Sequence, residues 1–289
     1  MKNLLFFLLL LPVLCLAQMK EIKYDASAGN GVKIDAPGHK LSAAVFLPEN
    51  YDSRESWPII LFFHGKGEAS VNMQYSALLG NGLPKNIKGG LSIPYVVVAI
   101  QDQYSTPKPA VMDYVLKNTI LPNYKVDTNH IYATGLSFGG GGALAMAIAY
   151  PNYISAVVSA SPSALQPFEV FALPTVAENK IPVWFWNGAQ DQGPMNYCKQ
   201  YSQAIIAAGG QSWITTEPVE HGPWDALYTG KSKLDGRDMY AFFSQYGKAT
   251  ESPVTEPPVT TPPIDTVPVV MRKLIATLRV YDNGDIEKE

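Results

Sequence analysis

Gly135-Leu136-Ser137-Phe138-Gly139 fits G-x-S-x-G, with a β-branched run, His130–Gly135, leading into it and a small-residue segment, Gly140–Tyr150, leaving it. A serine between glycines on a strand-to-helix turn projects its hydroxyl from the end of a sheet, and the following helix N-terminus offers free N–H groups to a developing negative charge. A serine hydroxyl is a weak nucleophile until a base takes its proton. The chain has four histidines, and only His221 follows Ser137. It sits in the loop Val219-Glu220-His221-Gly222-Pro223-Trp224, after the strand-like Trp213–Thr216. An acid is needed to fix the imidazole tautomer, and in this chain order it lies between nucleophile and base. The candidates are Glu169, Glu178, Asp191, Glu217 and Glu220. Glu169 and Glu178 precede the strand that should carry the acid, and Glu217 and Glu220 crowd His221 from its own strand and loop. Asp191 directly follows the run Val183–Gln190 and is favoured over its alternative reading as the N-cap of the helix that follows. The expected catalytic set is therefore Ser137, His221 and Asp191, working by acyl transfer.

Such chemistry needs oxyanion donors. One is expected at the N–H of Phe138, the other in the glycine-containing loop His64-Gly65-Lys66-Gly67, with Lys66 preferred and Gly67 as alternative. His64 reads as a structural residue holding that loop. Trp224, beside His221, is the aromatic best placed to line a pocket, whereas Trp184 and Trp186 lie on an apolar strand and read as core. Four scattered histidines and one cysteine after signal removal make no metal-ligand spacing, so no metal site is expected.

The elements that must position these residues alternate. Leu41–Leu47 alternates as a strand should. Ile59–Phe63, Tyr95–Ile100, His130–Gly135, Ala156–Ser159 and Val183–Trp186 are apolar or β-branched runs. Ala110–Leu121, Gly140–Tyr150 and Met195–Ala208 carry helical spacing. This pattern implies a mostly parallel sheet covered on both faces, a three-layer α/β fold. At 289 residues and 47% hydrophobic composition there is enough chain for one sizeable core. A formal net charge of −3 without a basic cluster argues against a nucleic-acid partner.

Residues 1–17 read as a cleaved signal peptide: Lys2, an apolar run from Leu4 to Leu16, and Cys15-Leu16-Ala17 before Gln18. The run is too short for a comfortable membrane span, which needs about 20 apolar residues. A lipoprotein anchored at Cys15 is the rival, disfavoured by the bulky Leu14. The mature protein is thus expected to be secreted or periplasmic, with attachment to the cell surface as a further option. Cys198 would then be alone, read as a small buried hydrophobe on a helix. Residues 18–250 form the expected catalytic domain, 251–268 a Pro/Thr-rich linker, and 269–289 a short β segment. In that tail Asp282-Asn283-Gly284-Asp285 is a hairpin turn signal.

Several of these segments occur together in a known family. Leu61–Glu68, Asn81–Ile87, Tyr95–Gln101, Gly135–Gly139, Asn187–Pro194 and Glu220–Tyr228 resemble the family-1 carbohydrate esterases. That group includes feruloyl and acetyl xylan esterases and related depolymerase-like or "predicted peptidase" hydrolases. The likeness covers most of residues 40–246. It implies an α/β-hydrolase fold and a cofactor-free serine hydrolase acting on carboxylic esters of plant cell-wall polysaccharide, with the nucleophile at Ser137, the acid at Asp191 and the base at His221. Phe138 departs from the family, which often carries Met there, and would narrow the acyl pocket. A peptidase, lipase or polyester depolymerase would use the same three residues. A non-catalytic binding module would keep the fold and lose them. The oligomeric state is left open.

Overall fold

The computed structural model describes residues 19–24, 35–36, 38–69, 74–104 and 106–248. The expected signal peptide, linker and C-terminal β segment lie outside the described residues.

The central strands are the continuous apolar runs. β4 (Trp57–Phe63), β5 (Val96–Asp102), β6 (Val126–Leu136), β7 (Ile154–Ala160), β8 (Val183–Gly188) and β9 (Ser212–Glu217) pair in parallel in the order β5-β4-β6-β7-β8-β9. β1 (Lys20–Tyr24) and β3 (His39–Leu47) extend the β5 edge in antiparallel sense, and the two-residue β2 (Asp35–Ala36) pairs with β3. Successive side chains on a strand point to opposite faces. Ile59, Leu61 and Phe63 therefore join one core with Val96, Val98 and Ile100, while Ile60 and Phe62 join a second with Val97 and Ala99. Helices cover both faces, which is why these strands read as unbroken hydrophobic runs rather than as alternation.

The helices that matter for the site are α1 (Gly82–Lys88), α2 (Pro109–Val115), α3 (Phe138–Ala149), α4 (Gln192–Ala207), α5 (Asp225–Tyr228) and α6 (Met239–Phe243). The helix expected over Ala110–Leu121 divides into α2, a π-turn at Leu116–Ile120 and a short helical turn, Leu121–Asn123. Leu41–Leu47, read from its alternation as a strand, forms most of β3 and is buried throughout, because β1 and β5 flank it and layers cover both faces. Trp184 and Trp186 are core, as expected. Their indole N–H groups donate to Thr215 Oγ1 (3.0 Å) and Ser232 Oγ (3.1 Å).

Cys198 is fully buried on α4, and burial pushes its thiol up to about 12. At pH 8 roughly one molecule in 10⁴ would carry the thiolate, the reactive form. A thiol-disulfide reagent should therefore leave the native protein unlabelled at Cys198 and titrate it only in denaturant.

Candidate active site

Ser137 occupies the junction between β6 and α3 with φ 55° and ψ −119°, in the positive-φ region that L-residues seldom adopt. Its neighbours explain how the chain can turn so sharply. A Cβ on Gly139 would fall 1.9 Å from the Phe63 carbonyl oxygen, and one on Gly135 would fall 2.3 Å from the Gly139 carbonyl oxygen. Only glycine fits at either position. The turn is then fastened by hydrogen bonds. Ser137 N–H donates to Ala160 O (2.9 Å), and Ser137 O accepts from the N–H groups of Gly140 (2.9 Å) and Ser163 (3.0 Å).

His221 comes from the loop after β9 and Asp191 from the loop after β8. Two backbone hydrogen bonds stitch these loops together, from Ala189 N–H to Glu217 O (2.7 Å) and from Gln190 N–H to Val219 O (3.1 Å). Gly188 makes the crossing possible, since a Cβ there would lie 2.2 Å from Glu220 O. The buried Asn187 amide donates to Asp191 O (3.1 Å). The outcome is a continuous chain of contacts. His221 Nε2 lies 3.0 Å from Ser137 Oγ, and His221 Nδ1 lies 2.5 Å from Asp191 Oδ2. With the Nδ1 proton donated to the carboxylate, Nε2 is free to accept from the serine hydroxyl. The structure thus brings together the three residues picked out in the sequence. Glu217 lies elsewhere: its carboxylate accepts from Ser232 Oγ at 2.7 Å.

The loop after β4 lies on the other side of the serine. Gly65 packs on Leu136, since a Cβ on it would meet that side chain at 2.7 Å. Lys66 opens a single 3₁₀ turn, Lys66–Glu68, and its ammonium sits 5.6 Å from the centre of the Phe138 ring. The loop therefore faces the residue after Ser137. The first N–H groups of a helix or 3₁₀ turn have no partner within it, so Phe138 and Lys66 are both able to donate to an oxyanion. Gly67 has open space around its Cα. His64 is structural, as expected: it is fully buried, Nδ1 donates to Gly65 O (2.7 Å), and burial holds the ring below the usual imidazole range, hence neutral. Trp224 stands edge-on to the His221 ring, 5.3 Å between centres. Among the described residues no cluster of three or more His, Cys, Asp or Glu side chains could hold a metal ion.

Solved structures share this arrangement of strands. A thermostable esterase superposes with TM-score 0.53 at 17% identity, over 80% of this chain and 64% of that protein. A mutant of the feruloyl esterase module from Clostridium thermocellum complexed with sinapinate gives 0.56 at 17%, over 82% and 92%. The acylaminoacyl peptidase of Pyrococcus horikoshii gives 0.53 at 14%, over 81% and 42%. The chain has the α/β-hydrolase fold. It spans less than two thirds of the esterase and less than half of the peptidase. No family model and no curated protein matches the sequence.

The α/β-hydrolase sheet places Ser137, Asp191 and His221 beyond the C-terminal ends of β6, β8 and β9. Sequence reasoning missed the supports behind them. Gly188 gives no local signal, because the backbone it admits lies more than 30 residues away. Asn81 and Asp225, which hold neighbouring loops, fall in two of the segments that carry the family resemblance, and that was the available clue. Gly188→Ala should force the His221 loop off the end of β8 and cost about 1–3 kcal/mol. Thermal denaturation should show the midpoint lowered by roughly 2–12 °C.

Proposed function

We propose that the protein is a serine hydrolase of carboxylic esters, with Ser137 as nucleophile, His221 as base and Asp191 as the acid that orients it. The observation that carries this reading is the unbroken contact from Ser137 Oγ through the His221 ring to Asp191 Oδ2, on a turn whose positive φ aims the serine out of the sheet. His221 Nε2 removes the hydroxyl proton as Ser137 Oγ attacks the ester carbonyl. The tetrahedral oxyanion is held by the N–H groups of Phe138 and Lys66. The imidazolium, stabilised by Asp191, gives its proton to the leaving alkoxide, and the acyl-enzyme remains. Water deprotonated by His221 then attacks the acyl carbon, Ser137 leaves as the alcohol, and the enzyme is restored.

For substrate we propose acetyl or feruloyl esters on plant cell-wall polysaccharide. Support comes from the sequence resemblance and from a structural neighbour that is a feruloyl esterase module complexed with sinapinate. Phe138 is 36% exposed beside Ser137 and offers an aromatic wall to an acyl group, with the Lys66 ammonium over its ring. Action outside the cytoplasm follows from the proposed signal peptide, and no described helix is long and apolar enough to cross a membrane. A peptidase reading draws on the acylaminoacyl peptidase neighbour.

Incubating the protein with acetylated and feruloylated xylan should release one of the two acids, and Ser137→Ala and His221→Ala should each lower turnover about 10⁴–10⁶-fold. Asp191→Asn should be severely impaired but less so than Ser137→Ala, because the wrong tautomer is favoured. Wild-type rates in Ser137→Ala or His221→Ala would end the assignment. Activity on phenyl esters with neither acid released would keep the chemistry and reject the polysaccharide substrate. Cleavage of acyl-peptides alone would favour the peptidase.

A backbone role for Lys66 separates two substitutions. Lys66→Ala keeps the N–H and should retain kcat within a few-fold, whereas Lys66→Pro removes it and should lower kcat about 10²–10³-fold. Equal loss in both would assign the effect to the ammonium.

A further inference from the structure

The loops that carry Lys66 and His221 flank Ser137, and one short helix hydrogen-bonds to the far end of each. Asn81 precedes α1 in the N-cap position, where an asparagine side chain ordinarily accepts from the helix's own N–H groups. Here the side chain makes no such cap. Its amide turns outward and donates to Glu68 Oε1, on a carboxylate that is 4% exposed at the end of the Lys66–Glu68 turn. The buried Gln101 amide donates to the backbone carbonyl of the same Glu68 at 2.8 Å. Gly82, the first residue of α1, has φ +60°. A Cβ there would lie 2.6 Å from Leu136 Cδ2, on the residue before Ser137.

The other end of α1 reaches Asp225, the residue after Trp224 and four along from His221. Lys85 Nζ lies 2.8 Å from Asp225 Oδ2, and Asn86 Nδ2 donates to Asp225 Oδ1 at 2.9 Å. Asn86 Nδ2 also donates to Gly82 O at 2.8 Å, which fixes the rotamer that reaches Asp225. Burial would raise the Asp225 carboxyl, but hydrogen bonds from Lys85 and Asn86 outweigh it and hold the group below its usual range, so it stays ionised.

We infer that α1 is a strut that holds the Lys66–Glu68 loop and the His221 loop in register with Ser137, with Asn81, Lys85, Asn86 and Asp225 as positioning residues. The inference rests on the proposed ester chemistry and adds what keeps its two halves aligned. None of the four side chains hydrogen-bonds to the serine or its base. They act through the loops that carry the oxyanion donor and the imidazole. Displacement of a catalytic group by about 1 Å can cost on the order of 10²-fold in rate, so loss of either end of the strut should appear in kcat.

The test uses the full chain, p-nitrophenyl acetate for kcat and KM, and a p-nitrophenyl alkylphosphonate, whose rate of reaction with the serine reports nucleophile, base and oxyanion donors whatever the natural substrate. Asn81→Ala and Asp225→Ala should each lower kcat and the phosphonylation rate by about tenfold or more, with KM within about twofold. The double variant should lose little more than the worse single one, because groups acting as a unit are non-additive. Lys125→Ala, which removes an exposed pair with Asp52, should match wild type. If either alanine variant fails to fold, the half-exposed Lys85→Ala carries the test, with an expected kcat loss of about two- to fivefold. Wild-type kcat in the folded variants, or losses that multiply in the double variant, would overturn the strut while leaving the ester chemistry in place. A wild-type protein inert to both reagents would instead overturn the proposed chemistry, and the strut's catalytic role with it.

Discussion

The backbone crossing between β4 and the start of α3 sets the terms for everything around it. Phe63 O, Gly135 and Gly139 approach so closely that no side chain fits between them, and the chain can continue only by passing Ser137 through a positive φ. A conformation of that kind costs on the order of 1–3 kcal/mol for a non-glycine residue. It persists because its surroundings over-determine it. Four backbone hydrogen bonds converge on Ser137, one at its N–H and three at its carbonyl, each contributing about 0.5–1.5 kcal/mol. Behind them lies a sheet packed on both faces, which can neither slide nor tilt to relax the turn. The serine is presented by the rigidity of the core.

The same logic extends along the sheet edge. β8 and β9 run parallel, so their C-terminal loops emerge side by side, and backbone hydrogen bonds join the two loops before either carries a functional side chain. Asp191 and His221 are therefore placed relative to each other by main chain and relative to Ser137 by the sheet. The imidazole itself is among the more exposed parts of the arrangement, at 43%. Its orientation comes from the two hydrogen bonds it makes and from the Trp224 ring at its side.

How much of this could be read from the sequence follows from the range of each interaction. β4, β5, β7 and β8 were legible because burial on both faces leaves an unbroken apolar run. Ser137, Asp191 and His221 were legible because a strand–turn–helix motif and a fixed chain order constrain one another. The two-sided burial of β3 was not, since LSAAVFL is compatible with one covered face and only its neighbours β1 and β5 decide the matter. The π-turn at Leu116–Ile120 interrupts a sequence whose spacing remains helical. Glu68 is harder still. A glutamate in a polar loop reads as solvated, and its partner Asn81 reads as a helix cap. Only the folded chain shows each of them satisfied by the other.

Exposure at the site bears on how substrate and water reach it. Ser137 is half-buried, and His221, Phe138 and Lys66 are all exposed among the described residues. Under the proposed ester chemistry, a serine on an exposed rim can meet an ester that branches from a long chain without that chain having to thread a tunnel. Water has the same access, as hydrolysis of the proposed acyl-enzyme requires. The corresponding cost is weaker electrostatics, since an oxyanion near bulk solvent gains less from each donor than one in a closed, low-dielectric pocket. With little help from desolvation, the rate depends more heavily on how well the donors are aimed. An open site of this kind therefore has the most to lose from loose loops, and here the loops on either side of the serine are tied to a common helix.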